Sequence, residues 1–287
     1  MAETAAEGRW AQWVGRVEER EDGIAPVIAS MLAATFSDAP SPAGAVAEGE
    51  ALAPLRHWAA FHTDAPMQVL GRDGHPVRDE EGFLPPVPLD RRMWAGGRVT
   101  LHAPIRVGER LQRRSEILKV AEKSGGAGDM VFVTIGHRLE GEDGLKLEEE
   151  QDVVYIAMPT EWRAPKAIPA PEAPAFEHRL TMSEARLFRY SAATFNAHRI
   201  HYDLPYAEGV EKYPGLVVHG PLQATLLMDA ATLWKGEAPR RFRYRGVHPM
   251  FHTHALRVIG VEEDGALSLC TAAPAGHQGM QATAEWD

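Results

Sequence analysis

The sequence predicts an α+β protein on three observations. One long segment, Gly220 to Gly236, is apolar almost all round and carries helix signals at both ends. Short alternating or apolar runs lie on both sides of it in the chain, as strands require. Neighbouring runs are joined by brief turns containing Gly or Asp, which favours antiparallel pairing, so the apolar helix is expected against one face of an antiparallel sheet.

Composition sets the outer limits. The 287 residues suit two units of ordinary size, and 45% hydrophobic with 24% charged residues is enough apolar material for a folded core. The formal charge of −10 argues against nucleic acid as a partner, because non-specific affinity for it comes from neutralising phosphates. No run approaches 18 apolar residues, so no membrane span is expected. The opening MAETAAEGRW is acidic and lacks the apolar stretch of a secretory signal, and a cytoplasmic location is the expectation. The single cysteine, Cys270, sits in an apolar strand-like run and reads as a core residue.

In chain order, Ala25 to Thr35 reads as a helix. The stretch Gly71 to Pro88, rich in Gly, Pro and acid, reads as an extended loop or arm. Leu101, Ile105 and Val107, then Ile117 and Val120, Val131 to Ile135, and Val153 to Ile156 read as strands. SGGAGD at Ser124 to Asp129 lacks the GK[ST] of a phosphate loop and reads as a hairpin connection. The acidic run Glu148, Glu149, Glu150 and Asp152 reads as a solvated turn before a strand.

Prolines at 159, 165, 169, 171 and 174 favour extended, solvated backbone and mark a boundary. The expected division is 1–160, a linker at 161–176, and 177–287. Past it, Thr181 and Glu184 fit a capping box for a helix through Leu187, Phe188 and Tyr190 that ends near Ser191. A polar loop, TFNAHRIH, follows, then a short turn at Pro205 to Glu208 closed by Gly209. The apolar helix has Gly220 at its cap and Pro221 at its first position. Phe242 and Tyr244, Leu256 and Val258, Leu267 and Leu269, and Met280 to Trp286 complete the strands.

The chemistry concentrates in TFNAHRIHYD, where Asn196, His198, Arg199, His201, Tyr202 and Asp203 fall within eight positions at a helix exit. Neither a GxSxG elbow nor an HExxH helix is present, so nothing in the sequence calls for a serine hydrolase or a catalytic metal, and no cofactor is implied. Hydrating an acyl thioester needs a base for water and donors for the carbonyl oxygen, and this segment offers both.

These stretches, FRYSAATFNAHRIHYD (188–203) and YPGLVVHGPLQATLLMD (213–229), supported by MWAGGRVTLHAPIRVGERL (93–111), resemble the MaoC-like enoyl-CoA hydratases of the hot-dog superfamily. Within them the resemblance is closest to the mesaconyl-CoA hydratase and type 2 hydroxyacyl-thioester dehydratase subgroup. It implies a double hot dog whose N-terminal copy has lost most of its central helix, an acyl-CoA substrate and a homodimer or larger homo-oligomer.

The general pattern of those hydratases, DxNPxH, aligns with Asn196 to His201, so Asn196 stands at the position of the catalytic aspartate. An amide can orient water but cannot act as a carboxylate base, which leaves His201 as the proton carrier. On this reading His201, Asn196 and the Gly220 amide are catalytic, the last as an oxyanion donor at a helix N-terminus. Each has a plainer alternative: a loop bridge for His201, a turn residue for Asn196, a packing cap for Gly220.

The substrate-binding candidates are His198, Arg199, His219, Trp94 and Arg243. Arg199 either binds a substrate carboxylate, grips carrier phosphates or pairs with Asp203. Arg243 either meets coenzyme A phosphates or is a solvated arginine between inward Phe242 and Tyr244. Trp94 lines a pocket or packs in the core. The readings that compete with a CoA hydratase are a carrier-protein dehydratase of fatty-acid synthesis and a non-catalytic acyl-CoA binder.

Overall fold

Alternation of buried and exposed residues builds ten strands into one antiparallel sheet. The computed structural model describes residues 8–287 apart from positions 43, 45, 126, 127 and 264. In chain order the elements are β1 (Val17–Asp22), α1 (Pro26–Thr35), β2 (Arg91–Leu101), β3 (Leu111–Gly125), β4 (Gly128–Gly141), β5 (Gly144–Ile156), β6 (Phe176–Thr181), α2 (Glu184–Ala193), α3 (Leu204–Gly209), α4 (Gly220–Lys235), β7 (Arg241–Gly246), β8 (Ala255–Glu263), β9 (Ala266–Ala272) and β10 (Gln278–Glu285). The sheet runs β1-β3-β4-β5-β2-β7-β10-β9-β8-β6.

The two halves meet at β2 and β7, where Gly96 to Thr100 pair with Arg245 to Arg241, so the hydrogen-bond ladder is continuous between them. Residues 157–175 form no helix or strand, only an isolated bridge from Pro169 to His277. The largest core cluster draws on Leu111, Leu139 and Leu147 of the first half and on α4 of the second.

Helix α4 lies in the hollow of the C-terminal part of the sheet, with every residue from Leu222 to Ala231 buried. Each fully buried leucine there contributes about 2 kcal/mol of transfer free energy. Gly236 ends the helix in the left-handed conformation at φ 86. The N-cap is His219 rather than Gly220, which is the first helical residue. No equivalent helix fills the N-terminal hollow among the described residues. Trp10 and Trp13 pack there with Val87, joined by Phe83, Leu84 and Leu89, so the expected arm serves as part of the core.

Several expectations are corrected. The cap of α2 is Ser183, whose side chain accepts from the Arg186 amide, because Thr181 is the last residue of β6, and the helix runs on to Ala193. Ile105 and Val107 are buried but lie in a loop after β2, held by backbone bonds to Leu52, Gly49 and Glu50. The acidic run is inside β5: Glu148 and Glu150 face arginines on the outer surface while Glu149 is 3% exposed and points inward. β3 and β4 are joined as expected, although positions 126 and 127 of that connection, like residues 1–7 of the opening segment, lie outside the described residues.

Candidate active site

Helix α2 ends in a paired cap: the Asn196 amide donates to the Ser191 carbonyl at 2.8 Å and the Phe195 amide to Ala192 at 3.4 Å. That geometry demands a left-handed residue, and Phe195 takes it at φ 49 although a glycine would do so without strain. The chain is thereby turned so that Asn196 Oδ1 accepts the His198 amide at 3.0 Å, and a single helical turn, Arg199 to His201, follows.

His201 is 7% exposed. Its Nδ1 is 2.7 Å from the Val217 carbonyl, which can only accept, so the proton is on Nδ1 and the Nε2 lone pair is bare. The same residue returns the contact, as the Val217 amide donates to Ile200 at 2.9 Å. Burial first, and the His198 charge second, push the His201 pKa down to about 3, which keeps the ring neutral at ordinary pH.

His219 stacks on His201 with centroids 3.6 Å apart and planes at 18°. Its Nε2 lies 2.9 Å from Ser191 Oγ, and its Nδ1 is buried with no partner among the described residues. Burial holds this ring well below the usual imidazole range. His219 caps α4, so the histidine pair sits at a helix N-terminus, where the first-turn amides have no intrahelical acceptor.

Gly220 adjoins Trp94. A Cβ built at Gly220 would lie 2.7 Å from Trp94 Cε3, so only glycine lets this ring approach. Trp94 is stacked on Tyr244 at 4.6 Å and edge-on to Trp58 at 5.4 Å. Behind them Glu149 accepts from Trp58 Nε1 at 2.9 Å, Gln151 at 2.9 Å and the Tyr244 hydroxyl at 3.2 Å, and meets His57 Nε2 at 3.0 Å. The His57 contact leads the interactions that outweigh burial and hold the Glu149 carboxyl at about 2.

The remaining expected residues separate. His198 turns its Nε2 to Glu211, 3.2 Å from Oε1, and Glu211 also pairs with Arg91 at 3.1 Å. Arg199 is consumed structurally: Nε and Nη2 reach Asp203 at 2.9 and 2.6 Å, Nη1 donates to the Arg72 carbonyl, and the guanidinium covers Tyr206. Asp203 also caps α3. Arg243 is exposed on the sheet face opposite Phe242 and Tyr244, hence opposite Trp94 and α4, so it does not reach this site.

Sequence reasoning missed the contribution of the arm. The Arg199 amide donates to the Asp73 carbonyl at 2.9 Å, and the His75 ring lies 4.3 Å from that of His198. Asp73, His75 and His198 bring their ligand atoms within 4.8 Å of one another. Both Asp73 oxygens are taken by His75, at 3.0 Å from its amide and 2.8 Å from Nδ1. His198, His201 and Asp203, close in sequence, do not converge, because His201 is turned to Val217 and Asp203 to Arg199.

A continuous antiparallel sheet closed on one buried helix, with a bare histidine nitrogen at that helix's N-terminus, defines a double hot-dog protein of the MaoC-like class. A family model for hydroxyacyl-thioester dehydratase type 2 matches residues 55–252, and the chain belongs to that family. It is 40% identical to the mesaconyl-C(4)-CoA hydratase of Chloroflexus aurantiacus over 277 residues, 96% of this chain and 97% of that protein. Among solved structures it is similar to a MaoC-like dehydratase from Phytophthora capsici, with TM-score 0.69, 12% identity and 95% of each chain covered. It is also similar to a Mycobacterium tuberculosis protein described as a double hot-dog fold, with TM-score 0.62, 14% identity and 94% and 95% coverage.

Proposed function

We propose that this protein is a hydratase that adds water across the double bond of an α,β-unsaturated acyl-CoA, with mesaconyl-CoA or itaconyl-CoA as the leading substrates. The observation that carries the proposal is the bare His201 Nε2: with Nδ1–H committed to Val217, the ring is a neutral base of fixed orientation beside a helix N-terminus. The kinship with a mesaconyl-C(4)-CoA hydratase supports the substrate class.

In the addition, His201 Nε2 takes a proton from water and the water oxygen bonds to the β-carbon. The double-bond electrons move through the α-carbon to the thioester oxygen, where the Gly220 amide and the positive end of α4 stabilise the enolate. His201 then returns the proton to the α-carbon, on the same face, and the balance is one water per double bond. The unpartnered Nδ1 of His219 is a further polar atom at this place. Asn196 accepts the His198 amide at Oδ1, and its Nδ2 hydrogens with the second Oδ1 lone pair can hold the water. The reverse reaction, dehydration of a 3-hydroxyacyl thioester, uses the same groups.

On this reading the protein works in the cytoplasm as a homodimer or larger homo-oligomer. Val27 and Met31 of α1 and Phe188 of α2 are 63%, 38% and 64% exposed, an apolar surface on adjoining helices that suits a second copy. Light scattering of the purified protein measures that state.

The deciding assay is a panel of mesaconyl-CoA, itaconyl-CoA, crotonyl-CoA and a 3-hydroxyacyl carrier-protein thioester. Turnover of CoA esters above the carrier substrate is expected. Binding of acyl-CoA without turnover on any of the four makes the protein a non-catalytic binder and overturns the proposal.

A further inference from the structure

From Gly215 to Ala231 every residue is buried except Gly220 and Pro221, which are half-buried. The start of α4 is therefore where this segment opens to a substrate. Gly220 is the first helical residue, so its amide has no acceptor within the helix, and no other backbone acceptor takes it among the described residues. One unfilled donor thus stands at the opening, and the residue before it is His219.

The His219 ring is held firmly. It lies face to face with His201 at 3.6 Å and 18°, Tyr190 meets it edge-on at 4.9 Å, and Nε2 is 2.9 Å from Ser191 Oγ. Its Nδ1, the ring nitrogen nearer the main chain, is buried without a partner among the described residues. The stacking keeps that nitrogen beside the base.

Counting hydrogen bonds assigns the ring proton. Ser191 is buried, and among the described residues its hydroxyl has His219 Nε2 as its partner. If Nε2 carried the proton and donated to Oγ, both the hydroxyl hydrogen and the Nδ1 lone pair would be left unpaired. If the hydroxyl donates to Nε2, the proton is on Nδ1 and that N–H alone lacks a partner. Unpaired buried groups are costly, so the second arrangement is favoured. Burial keeps the ring neutral, which makes Nδ1–H an uncharged donor waiting for an acceptor.

We infer that His219 is a second oxyanion donor, its Nδ1–H joining the Gly220 amide on the thioester oxygen, and that Ser191 is the positioning residue that holds the proton on Nδ1. The inference rests on the hydratase reading above. Both histidines carry their proton on Nδ1 and use it oppositely. His201 gives it to Val217 and offers a bare Nε2 as base, whereas His219 has Nε2 filled by Ser191 and offers Nδ1–H to developing enolate charge.

The test is Ser191→Ala in the full-length protein, assayed on the CoA ester that the wild type hydrates best. Without the hydroxyl the ring proton moves to Nε2 and a lone pair faces the thioester oxygen. Loss of an oxyanion donor acts in the transition state, so kcat is expected to fall about 100-fold while KM stays within about 3-fold. A folded variant with wild-type kcat, or a loss confined to KM, overturns the inference.

Two further readouts need no turnover. NMR of isotope-labelled imidazole nitrogens, with the His219 signal identified by its loss in His219→Gln, is expected to show Nδ1–H in the wild type and Nε2–H in Ser191→Ala. Nε2–H in the wild type overturns the assignment. The infrared band of an isotope-labelled thioester carbonyl in bound methylsuccinyl-CoA, a saturated ester that cannot be hydrated, is expected at lower frequency in the wild type than in Ser191→Ala. Equal frequencies overturn the contact even if hydration itself is confirmed, whereas hydration of no CoA ester removes the underlying reading and leaves the carbonyl band to decide whether these donors meet a thioester.

Discussion

His201 gives its Nδ1 proton to the carbonyl of Val217 at 2.7 Å, and that one bond decides which nitrogen is available as a base. Burial of the ring, which the Val217 bond opposes, sets a pH dependence. The folded pKa of about 3 lies below the unfolded value of roughly 6.5. Between those values the unfolded chain binds more protons, so stability is complete above about pH 6.5 and declines as the pH falls toward 3. Melting temperatures of the wild type and His201→Gln measured from pH 7 to pH 4 are expected to diverge, the variant showing the shallower slope. Parallel curves would contradict the burial of a neutral ring.

Activity should depend on the same nitrogen. General acid–base groups contribute about 100- to 10,000-fold, so His201→Gln is expected to lose at least about 100-fold in kcat while remaining folded by circular dichroism. Near-wild-type turnover in a folded variant would remove His201 from the chemistry.

The fold was readable where burial and local signals agree. Helix α4 announces itself by Pro221, Gly236 and an apolar circumference, and its burial follows from having no polar face. β1 and β6 left no such trace, because VEERED and FEHRLT are edge strands whose charged side chains meet solvent. Glu149 was unreadable for a different reason: in LEEEQD the inward and outward positions carry the same residue type, so alternation is silent. Asp73, His75 and Glu211 reach His198 only through tertiary packing of the arm and the loop after α3. The alignment of Asn196 and His201 came from family resemblance, while the turn role of Asn196 needed coordinates.

Gly220→Ala probes the helix start. The added methyl meets a ring already packed by Tyr244 and Trp58, and overpacking of this kind costs about 1–3 kcal/mol. Urea denaturation of Gly220→Ala, Trp94→Leu and the double variant should show coupling, with the double variant more stable than the sum of the singles. Additive losses would mean that the two residues do not touch.

Glu149 tests the wall behind Trp94. Its carboxylate accepts three side-chain donors and contacts His57 in a buried setting, so Glu149→Gln, which replaces an acceptor oxygen by a donor, should cost about 2–4 kcal/mol. Glu148→Gln on the outer surface, where Arg138 and His102 are its partners, should stay within about 1 kcal/mol. Equal effects at the two positions would refute the inward orientation of Glu149.

Phe195 holds the turn that presents Asn196, and it does so at a conformation costly for any side chain with a Cβ. The left-handed region costs a non-glycine residue about 1–2 kcal/mol, and the ring recovers little of this, being 62% exposed with one ring neighbour, His62, at 5.8 Å. Phe195→Gly relieves the strain but frees the unfolded chain, so the net gain is expected to be below about 1 kcal/mol, a rise of roughly 1–3 °C in melting temperature. Because glycine also frees the loop before Asn196, kcat should fall while stability rises. A lowered melting temperature would mean that the His62 contact outweighs the backbone strain, and that the turn is held by the ring rather than in spite of it.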